Sequence, residues 1–348
     1  MGPARVKRAA LAALTHDAVL PLAFPLTQGV ASIFMLHRFA DPALGTGGHE
    51  PEVLRRRLGM LRRHHFELLP LADLVVRLQD GDPPLKKAVA FTVDDGYADF
   101  VRVGLGIFTE FDCPVTVFAV TGFLDGRCWL WWDQLELALA TTRRDKIDVD
   151  LGTVALRYRW TDDRTRDGVW SDLVERLKRV DDTTRRSVLT GLVRDLDVEV
   201  PTTPPARYAP MSWDDARRCL KHGAAFGPHT VTHPILSRLD DRQSEAEIRE
   251  SWGRVKTEVP TSPAVFCYPN GDPDSFTPRE QEAIRAAGMS AALTTVDDFA
   301  SPSLFQADGG AGRFAIPRFP YTEDDAAFRQ VVSGLERAKR RARRLLGS

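Results

Sequence analysis

The chain of 348 residues contains 43% hydrophobic and 27% charged residues, a balance typical of a globular protein with a sizeable core. Its formal net charge of −1 excludes nucleic-acid binding through a large excess of positive charge. The four cysteines lack C-x-x-C spacing, which excludes a disulfide scaffold or a thiolate zinc site and favours reduced, buried thiols.

Residues 1–30 are predicted to form an N-terminal extension. Arg5, Lys7 and Arg8 precede the stretch AALAALTHDAVLPLAFPL. A secretory signal has a continuous apolar segment and a small-residue cleavage site, whereas a Thr-His-Asp triplet and two prolines interrupt this stretch. It is also shorter than the ~20 apolar residues of a membrane span. We expect a chain that is not exported and works in the cytoplasm, in solution or at a membrane surface.

Residues 31–330 alternate between apolar and amphipathic segments. The apolar segments are the predicted strands ASIFMLHRF (31–39), KAVAFTVDDG (87–96), CPVTVFAVTGF (113–123), AAFGPHT (224–230), AVFCYPNG (264–271), MSAALTTV (289–296) and FAIPRFPY (314–321). The amphipathic segments are the predicted helices 52–64, 212–223, 244–259 and 277–288. This alternation favours an α/β fold with βα units around a parallel sheet or barrel. Catalytic groups collect at the carboxyl ends of such strands, so we expect these residues to be neighbours: His37, Asp94, Asp95, His229 and Tyr268.

The segment from about residue 125 to 205 breaks the alternation and is predicted to be an α+β insertion on the barrel. Its charged middle part can form a hairpin, and polar helices follow. Trp129, Trp131 and Trp132 open the insertion. Sugar rings stack on aromatic faces, so these residues are candidate substrate contacts, but a Trp cluster at helical spacing is more often part of a core. The sequence leaves both interpretations open.

Two short motifs contain the residues predicted to take part in the chemistry. The motif TVDDG places the carboxylates of Asp94 and Asp95 just past a buried strand, where their repulsion requires a cation or a retained proton. The motif GPHTVTHP holds His229 and His233 four residues apart, on one face if the segment is helical. Each has an ordinary alternative, since Asp-Asp-Gly is common in turns and histidine pairs are frequent. Together, one carboxylate and two histidines make a three-ligand site with open positions, as in hydrolytic zinc enzymes.

At these motifs the sequence resembles the polysaccharide deacetylases of the NodB-homology type. Their first motif, Thr-Phe-Asp-Asp-Gly, matches TVDDG with Val93 in place of the aromatic residue, and their second, His-Ser/Thr-x-x-His, matches HTVTH at every specified position. Their third, of aromatic-proline-tyrosine-glycine type, is similar to CYPNG. Order and spacing agree from roughly residue 30 to 321, apart from the insertion. The resemblance implies a distorted (β/α) barrel with fewer than eight repeats.

The resemblance also implies roles for the motif residues. Asp94 is the implied general base, and Asp95, His229 and His233 are the implied metal ligands. Zn²⁺ is the expected ion, although two histidines and a carboxylate suit several divalent ions. The backbone N–H of Tyr268 is the implied donor to the tetrahedral oxyanion. The candidate substrate-binding residues are Trp131, Trp132 and Pro269.

The chain departs from the family pattern in its general acid. In many members a histidine in a late Leu-x-His motif protonates the leaving amine, but no histidine follows His233 here. His37 in MLHRF, at the end of the first predicted strand, is the best substitute, because some members carry a similar Tyr-His motif there. The alternative is a strand-end histidine with a structural hydrogen bond.

A second departure concerns the arginine that many members carry just before the third motif, which is absent here. Arg318 in IPRFP stands at the end of the last predicted strand and is the candidate to reach Asp94. The alternative is a surface or structural arginine. Nothing in the sequence raises Asp99 or Asp133 above surface carboxylates.

The leading prediction is a metal-dependent hydrolase that removes the N-acetyl group from a sugar of a polysaccharide, oligosaccharide or lipid-linked glycan. The alternatives are a metal hydrolase of another C–N bond and a catalytically inactive barrel that binds a glycan or a protein. The expected partner is an N-acetylated glycan, with no nucleic acid. Residues 331–348 form a basic, helix-prone tail, which is either solvated or attracted to anionic lipid headgroups. The sequence does not predict the oligomeric state.

Overall fold

The computed structural model describes residues 11–81, 83–152 and 154–346. Within these residues, no helix combines the length and the apolar character needed to cross a lipid bilayer. The predicted basic cluster of Arg5, Lys7 and Arg8 lies outside the described residues.

The strands alternate with helices along the chain as the sequence predicts. They are β1 (Ala31–Leu36), β2 (Glu67–Leu68), β3 (Ala88–Asp95), β4 (Val115–Ala119), β5 (Lys146–Asp150), β6 (Ala155–Arg159), β7 (Ala224–Pro228), β8 (Val265–Cys267), β9 (Ala291–Leu293) and β10 (Phe319–Pro320). Five of them form a parallel sheet in the order β10-β1-β3-β4-β7, and β2 pairs with β3. Strands β8 and β9 form a separate parallel pair.

The remaining regular structure is helical. The α-helices are α1 (Pro51–Arg63), α2 (Leu71–Asp80), α3 (Leu105–Glu110), α4 (Thr121–Leu124), α5 (Trp131–Thr141), α6 (Asp163–Leu177), α7 (Asp182–Asp195), α8 (Trp213–Cys219), α9 (Asp241–Glu258), α10 (Pro278–Ala286), α11 (Pro302–Phe305), α12 (Ala307–Gly310), α13 (Asp325–Val332) and α14 (Leu335–Leu346). Shorter 3₁₀ segments lie at Leu20–Thr27, Ala206–Tyr208, Leu220–His222, Leu236–Arg238 and Ala311–Phe314, and a π-helical turn lies at Phe100–Gly104. The four predicted helices correspond to α1, α8, α9 and α10.

The β8-β9 pair lies between the two edge strands of the five-stranded sheet, β7 and β10. A Cβ on Gly227 of β7 would lie 2.9 Å from the carbonyl oxygen of Val265, so glycine allows β7 and β8 to approach closely. On the other side, Leu293 of β9 bridges to Ile316, just before β10. The strands therefore enclose an incomplete, distorted barrel, as the family resemblance predicted.

The register of the sheet brings the functional motifs to one edge. His37 comes directly after the residue of β1 that pairs with Val93. Asp95 lies level with Pro228 across the intervening strand β4, and His229 follows Pro228 directly. Every residue of β3 is buried, as expected for a central parallel strand covered on both faces. The carboxyl ends of β1, β3 and β7 therefore share one rigid edge.

The insertion has a hydrophobic cluster of its own. Strands β5 and β6 form an antiparallel hairpin, and α5, α6 and α7 pack against it through buried side chains that include Leu135, Val149 and Leu173. Helices α5 and α6 also contribute residues to the cavity at the carboxyl edge of the barrel. The insertion thus forms a small α+β layer beside the site.

Candidate active site

Asp95, His229 and His233 meet at the carboxyl edge of the sheet. Nε2 of His229 lies 3.7 Å and Nε2 of His233 lies 3.5 Å from Oδ1 of Asp95. Ligands bound to a tetrahedral zinc at ~2.1 Å are about 3.4 Å apart, so these three atoms have the spacing of ligands to one ion. Oδ1 of Asp95 is buried and accepts no hydrogen bond from the described residues. The three residues therefore fit a divalent cation.

The electrostatics of the three residues favours a cation as well. Burial and the neighbouring charge of Asp94 raise the pKa of Asp95 well above its ordinary value, and a bound cation would stabilise its carboxylate form. Burial lowers the pKa of His229 and of His233, which keeps both rings in the neutral form that binds metals. Nδ1 of His229 lies 2.8 Å from the carbonyl oxygen of Cys267, which orients Nε2 toward Asp95.

The segment between the two histidines is a loop, so they do not converge through helical spacing. Thr230 and His233 have φ angles of 67° and 58°, in the left-handed region that is costly for non-glycine residues. Glu247 of α9 stabilises this loop by accepting hydrogen bonds from the backbone N–H groups of Val231 and Thr232 at 2.7 and 3.0 Å. The sequence did not point to Glu247, because it belongs to the next helix.

Arg318 makes a bidentate ion pair with Asp94. Its guanidinium donates to both carboxylate oxygens at 2.8 Å, and it also donates to Thr92, to the carbonyl of Thr294 and to Sγ of Cys267. Burial by itself would raise the pKa of Asp94, but the charge and the hydrogen bonds of Arg318 lower it below its ordinary range. Asp94 is therefore an ionised carboxylate held in one orientation.

A second group of metal-ligand types lies beside the first. Atoms of Asp94, His229 and Cys267 also lie within 4.8 Å of one another. Burial raises the pKa of the Cys267 thiol well above its ordinary value, and a thiol that keeps its proton is a poor ligand. Because Arg318 already pairs with Asp94, the set built on Asp95 is the better metal site.

His37 stands next to the Asp94 carboxylate. Its Nε2 lies 4.0 Å from Oδ2 of Asp94, and its side chain is 45% exposed along the cavity wall. Partial desolvation lowers the pKa of His37, against the opposing effect of the Asp94 charge. The ring is therefore neutral in the free protein at neutral pH.

A cavity of about 690 Å³ opens over these side chains, a volume in the range of small-molecule sites. The barrel contributes residues that include His37, Asp94, Asp95, His229, His233, Tyr268, Asn270 and Thr295. The insertion contributes Trp132, Asp133, Glu136, Trp170, Val174 and Lys178. One wall of the site is thus the barrel edge and the other is the insertion.

The tryptophans at the start of the insertion separate into two groups. Trp132 lines the cavity, and its ring stands edge-on to His233 at a centroid distance of 4.7 Å. Trp129 and Trp131 are buried, and Trp131 packs in the insertion cluster beneath the guanidinium of Arg185. The predicted substrate contact through Trp131 is therefore wrong, because consecutive residues of α5 point in different directions.

The backbone N–H of Tyr268 is already engaged, which corrects its predicted oxyanion role. It donates to the carbonyl oxygen of Leu293 at 3.2 Å and so extends the β8-β9 pairing by one residue. Pro269, also predicted to contact substrate, is buried and outside the cavity wall. The next residue, Asn270, lines the cavity with φ 62°, and its N–H has no acceptor in the part of the chain that the structure describes.

Asp99 and Asp133 are buried, contrary to the expectation of surface carboxylates. The Tyr97 hydroxyl donates to Asp133 at 2.7 Å and accepts a hydrogen bond from Nε1 of Trp132 at 3.1 Å. Burial raises the pKa of Asp133, which lines the cavity, to about 7. Asp99 pairs with Arg38. A signal was available for this cluster, since Tyr97 and Asp99 belong to the same TVDDGYADF stretch as the motif aspartates.

The sequence profile of the family described as Polysaccharide deacetylase matches residues 81–292, more than half of the chain. The chain belongs to the polysaccharide deacetylase family. It is accordingly a metal-dependent hydrolase of the class that removes N-acetyl groups from glycans, and the predictions of family and fold are confirmed.

Solved structures share the fold of this deacetylase at low sequence identity. The Streptococcus pyogenes deacetylase PplD in complex with acetate superposes with a TM-score of 0.56 at 14% identity, covering 88% of this chain and 99% of its own. IcaB from Ammonifex degensii gives 0.55 at 15% identity, with coverage of 88% and 97%. A de-N-acetylase from Aggregatibacter actinomycetemcomitans gives 0.52 at 12%, with 85% and 96%. No curated protein matches the sequence.

The ion pair between Arg318 and Asp94 predicts how the pH dependence of activity changes when Arg318 is replaced. Since Arg318 lowers the pKa of Asp94, replacing it by lysine or methionine should raise that pKa, and the general-base role that the family resemblance implies for Asp94 requires the ionised form. The acid limb of kcat/KM should therefore move to higher pH in both variants of the deacetylase, further in Arg318→Met. Circular dichroism checks folding, because leaving Asp94 buried and unpaired costs about 3–5 kcal/mol. A folded, metal-loaded variant with an unshifted acid limb would show that the pKa of Asp94, as set by Arg318, does not control activity.

Proposed function

We propose that this deacetylase cleaves the N-acetyl group of a glycan sugar bound between the barrel edge and the insertion, with Asp95, His229 and His233 holding a divalent ion. The observation that carries the proposal is the unpartnered, buried oxygen of Asp95 facing two neutral histidines. Bound there, such an ion polarises the acetyl carbonyl and makes a water more acidic. Zn²⁺ is the expected ion, because it prefers tetrahedral sites with nitrogen and carboxylate ligands.

Asp94 is the proposed general base. It is adjacent to Asp95 in sequence, and Arg318 keeps its carboxylate ionised and fixed in direction. A carboxylate in this position can accept a proton from the attacking water. The same interaction lowers the affinity of Asp94 for protons and so makes it a weaker base. The fixed orientation of the carboxylate therefore contributes more to the rate than its basicity does.

His37 is the proposed donor to the leaving amine. Because its pKa is lowered, the ring must gain a proton during the reaction before it can donate one. Oδ2 of Asp94 lies 4.0 Å from Nε2 of His37, so a small rotation of the imidazole can bring the two groups into contact. The proton that Asp94 accepts from water can then pass to His37 and on to the amine nitrogen.

Asn270 replaces Tyr268 as the proposed oxyanion donor. Asn270 lines the cavity, and its N–H lacks an acceptor among the described residues. The positive φ of Asn270 turns the backbone where the chain leaves β8. Such preorganised donors stabilise charge that develops on the former carbonyl oxygen, and each contributes about 10²–10³ in rate.

The proposed role of His37 predicts that replacing it slows hydrolysis most for substrates whose leaving group needs a proton. His37→Gln should lower hydrolysis of the sugar N-acetyl group by about 10²–10⁴-fold. Hydrolysis of a 4-nitrophenyl acetate ester should fall much less, because the phenolate leaves without a proton. The bound ion, measured by elemental analysis, should be unchanged. An equal loss on amide and ester would mean that His37 has a structural role instead.

A product assay tests the function as a whole. Zinc-loaded protein is incubated with oligomers of N-acetylglucosamine, and acetate and free amine are measured while chain length is followed by mass spectrometry. We expect acetate and amine in equal amounts and no change in chain length. Cleavage of other amides without acetate release would favour the hydrolase of another C–N bond. A metal-loaded protein that binds the oligomers and cleaves nothing would be the inactive binding barrel.

We propose that the reaction takes place in the cytoplasm and that its substrate is a small sugar precursor or a lipid-linked glycan. The support is chemical, since the four cysteines are free thiols, as in proteins of reducing compartments. The cavity of about 690 Å³ is in the size range of small-molecule sites and is large enough to take an N-acetylated sugar unit.

A further inference from the structure

The C-terminal helix α14 is strongly basic, and its side chains are mostly half-buried in the first half and exposed in the second, where Arg344 still lies 3.9 Å from Asp298. Its twelve residues include six Lys or Arg and one Glu. Arg337 donates to the carbonyl oxygens of Leu26 and Gln28 at 2.9 and 2.8 Å, which joins the helix to the 3₁₀ segment Leu20–Thr27. Further along, Arg341 and Arg343 are exposed and have no acidic partner within 4.0 Å among the described residues. The second half of the helix therefore presents uncompensated positive charge.

The same helix carries an apolar stripe that the described part of the protein leaves uncovered at its outer end. Leu335, Ala338, Ala342 and Leu345 recur at intervals of three and four residues, which places them on one face. The first two are half-buried, Ala342 is exposed, and the Leu345 side chain is 88% exposed. The uncovered apolar side chains of this helix would be more stable in an apolar environment than in water.

Exposed aliphatic side chains are concentrated in the two terminal segments of the described chain. Seven large hydrophobic residues of the described chain are exposed, and four belong to the terminal segments that α14 joins, namely Leu14, Val19, Leu22 and Leu345. Leu22, at 81%, belongs to the 3₁₀ segment that Arg337 contacts. We call α14 and the segment Leu20–Thr27 the terminal surface.

We propose that the terminal surface docks on a lipid bilayer that contains anionic lipids. A basic amphipathic helix with exposed leucines is the type that lies in the bilayer interface, with its arginines near the headgroups and its apolar side chains among the upper acyl chains. Nucleic acid would satisfy the positive charge but offers no apolar phase for Leu22 and Leu345.

Docking in this way leaves the catalytic cavity accessible. The 3₁₀ segment Leu20–Thr27 leads into the amino end of β1, whereas His37 and the cavity lie beyond its carboxyl end. A strand of six residues spans about 20 Å. The active site therefore lies about one strand length from the segment Leu20–Thr27, so docking and hydrolysis are separable.

Vesicle flotation with the full chain tests the proposal. We expect the protein to float with phosphatidylcholine vesicles that contain phosphatidylglycerol and not with phosphatidylcholine alone. The double variant Arg341→Glu/Arg343→Glu should lower the partition coefficient by about 100-fold or more, because four charges change near an anionic surface. The double variant Leu22→Glu/Leu345→Glu should lower it by about tenfold or more, because the apolar contacts are lost and two negative charges are added near an anionic surface.

Matched variants elsewhere on the surface control for net charge. Arg157 and Arg159 of the insertion hairpin have the same spacing as the two helix arginines and are 89% and 65% exposed. Arg157→Glu/Arg159→Glu should float like the parent protein, as should Val76→Glu, which alters an aliphatic residue of α2 that is 56% exposed. Acetate release from a soluble oligosaccharide should be unchanged in all four variants.

Five results would overturn the proposal. The parent protein could fail to float with anionic vesicles, or float equally with neutral ones. The helix variants could float like the parent, or the hairpin control could lose binding equally, which would reduce the effect to net charge. Finally, duplex DNA could bind the parent protein more tightly than the vesicles do, which would identify a nucleic-acid surface.

Discussion

Replacing Asp94 by asparagine is expected to lower kcat for N-acetyl hydrolysis by about 10²–10⁴-fold, the contribution typical of a positioned general base. Asparagine has nearly the same shape but cannot accept the proton of the attacking water. Asp94 does not belong to the proposed ligand set, so the ion should stay bound at the same stoichiometry. The variant should therefore be metal-loaded and nearly inactive, and also less stable, because the buried Arg318 guanidinium loses its charged partner.

A matched control exists in Asp125, which Arg254 and Trp213 hold by hydrogen bonds outside the cavity. Asp125→Asn removes another arginine-paired carboxylate and should leave kcat almost unchanged. Elemental analysis and circular dichroism on both variants separate loss of chemistry from loss of metal or fold. If Asp94→Asn kept more than about a tenth of the activity, Asp94 would not be the base.

The second large effect concerns the metal. His233→Ala should reduce bound zinc from about one ion per chain to nearly none after desalting, and activity should fall with it, because two remaining ligands hold zinc weakly. His233 is the most accessible of the three ligands, with a side chain that is 12% exposed, so its removal should disturb packing least.

Two further histidines make the metal test specific. His222→Ala removes an exposed histidine that precedes the amino end of β7, whereas His229 follows its carboxyl end, and it should leave both zinc and activity unchanged. His37→Gln should keep the ion and lose activity, which separates the proton donor from the ligands. If the parent protein bound no zinc, or if His233→Ala bound it as the parent does, the assignment of Asp95, His229 and His233 would be wrong.

Much of the site followed from local patterns. Buried strands ending in Asp-Asp-Gly and in Gly-Pro-His predicted that Asp95 and His229 would lie at one edge, since the carboxyl ends of parallel strands coincide. The absence of the family arginine before CYPNG led to Arg318, whose guanidinium indeed lies on Asp94. These inferences succeeded because each depended only on where a strand ends and on the order of the strands along the chain.

Other expectations failed where neighbours distant in sequence decide. Trp131 and Trp132 are adjacent, yet one joins the insertion core and the other the cavity. The amide of Tyr268 was predicted to be free, but pairing with β9 occupies it. Asp133 was indistinguishable from a surface residue until the insertion folded it against Tyr97.

The sequence by itself determined the family, the succession of strands and helices, and the types of side chain available for the chemistry. These depend on hydrophobic periodicity and on short motifs, which are properties of consecutive residues. Only the tertiary structure decided which backbone amide is free and which carboxylates are buried. It also decided that the insertion forms one wall of the cavity and that the terminal segments meet at α14. Hydrogen-bond partners and solvent exposure depend on how the sheet curves and where the insertion packs, and no local stretch of sequence contains that information.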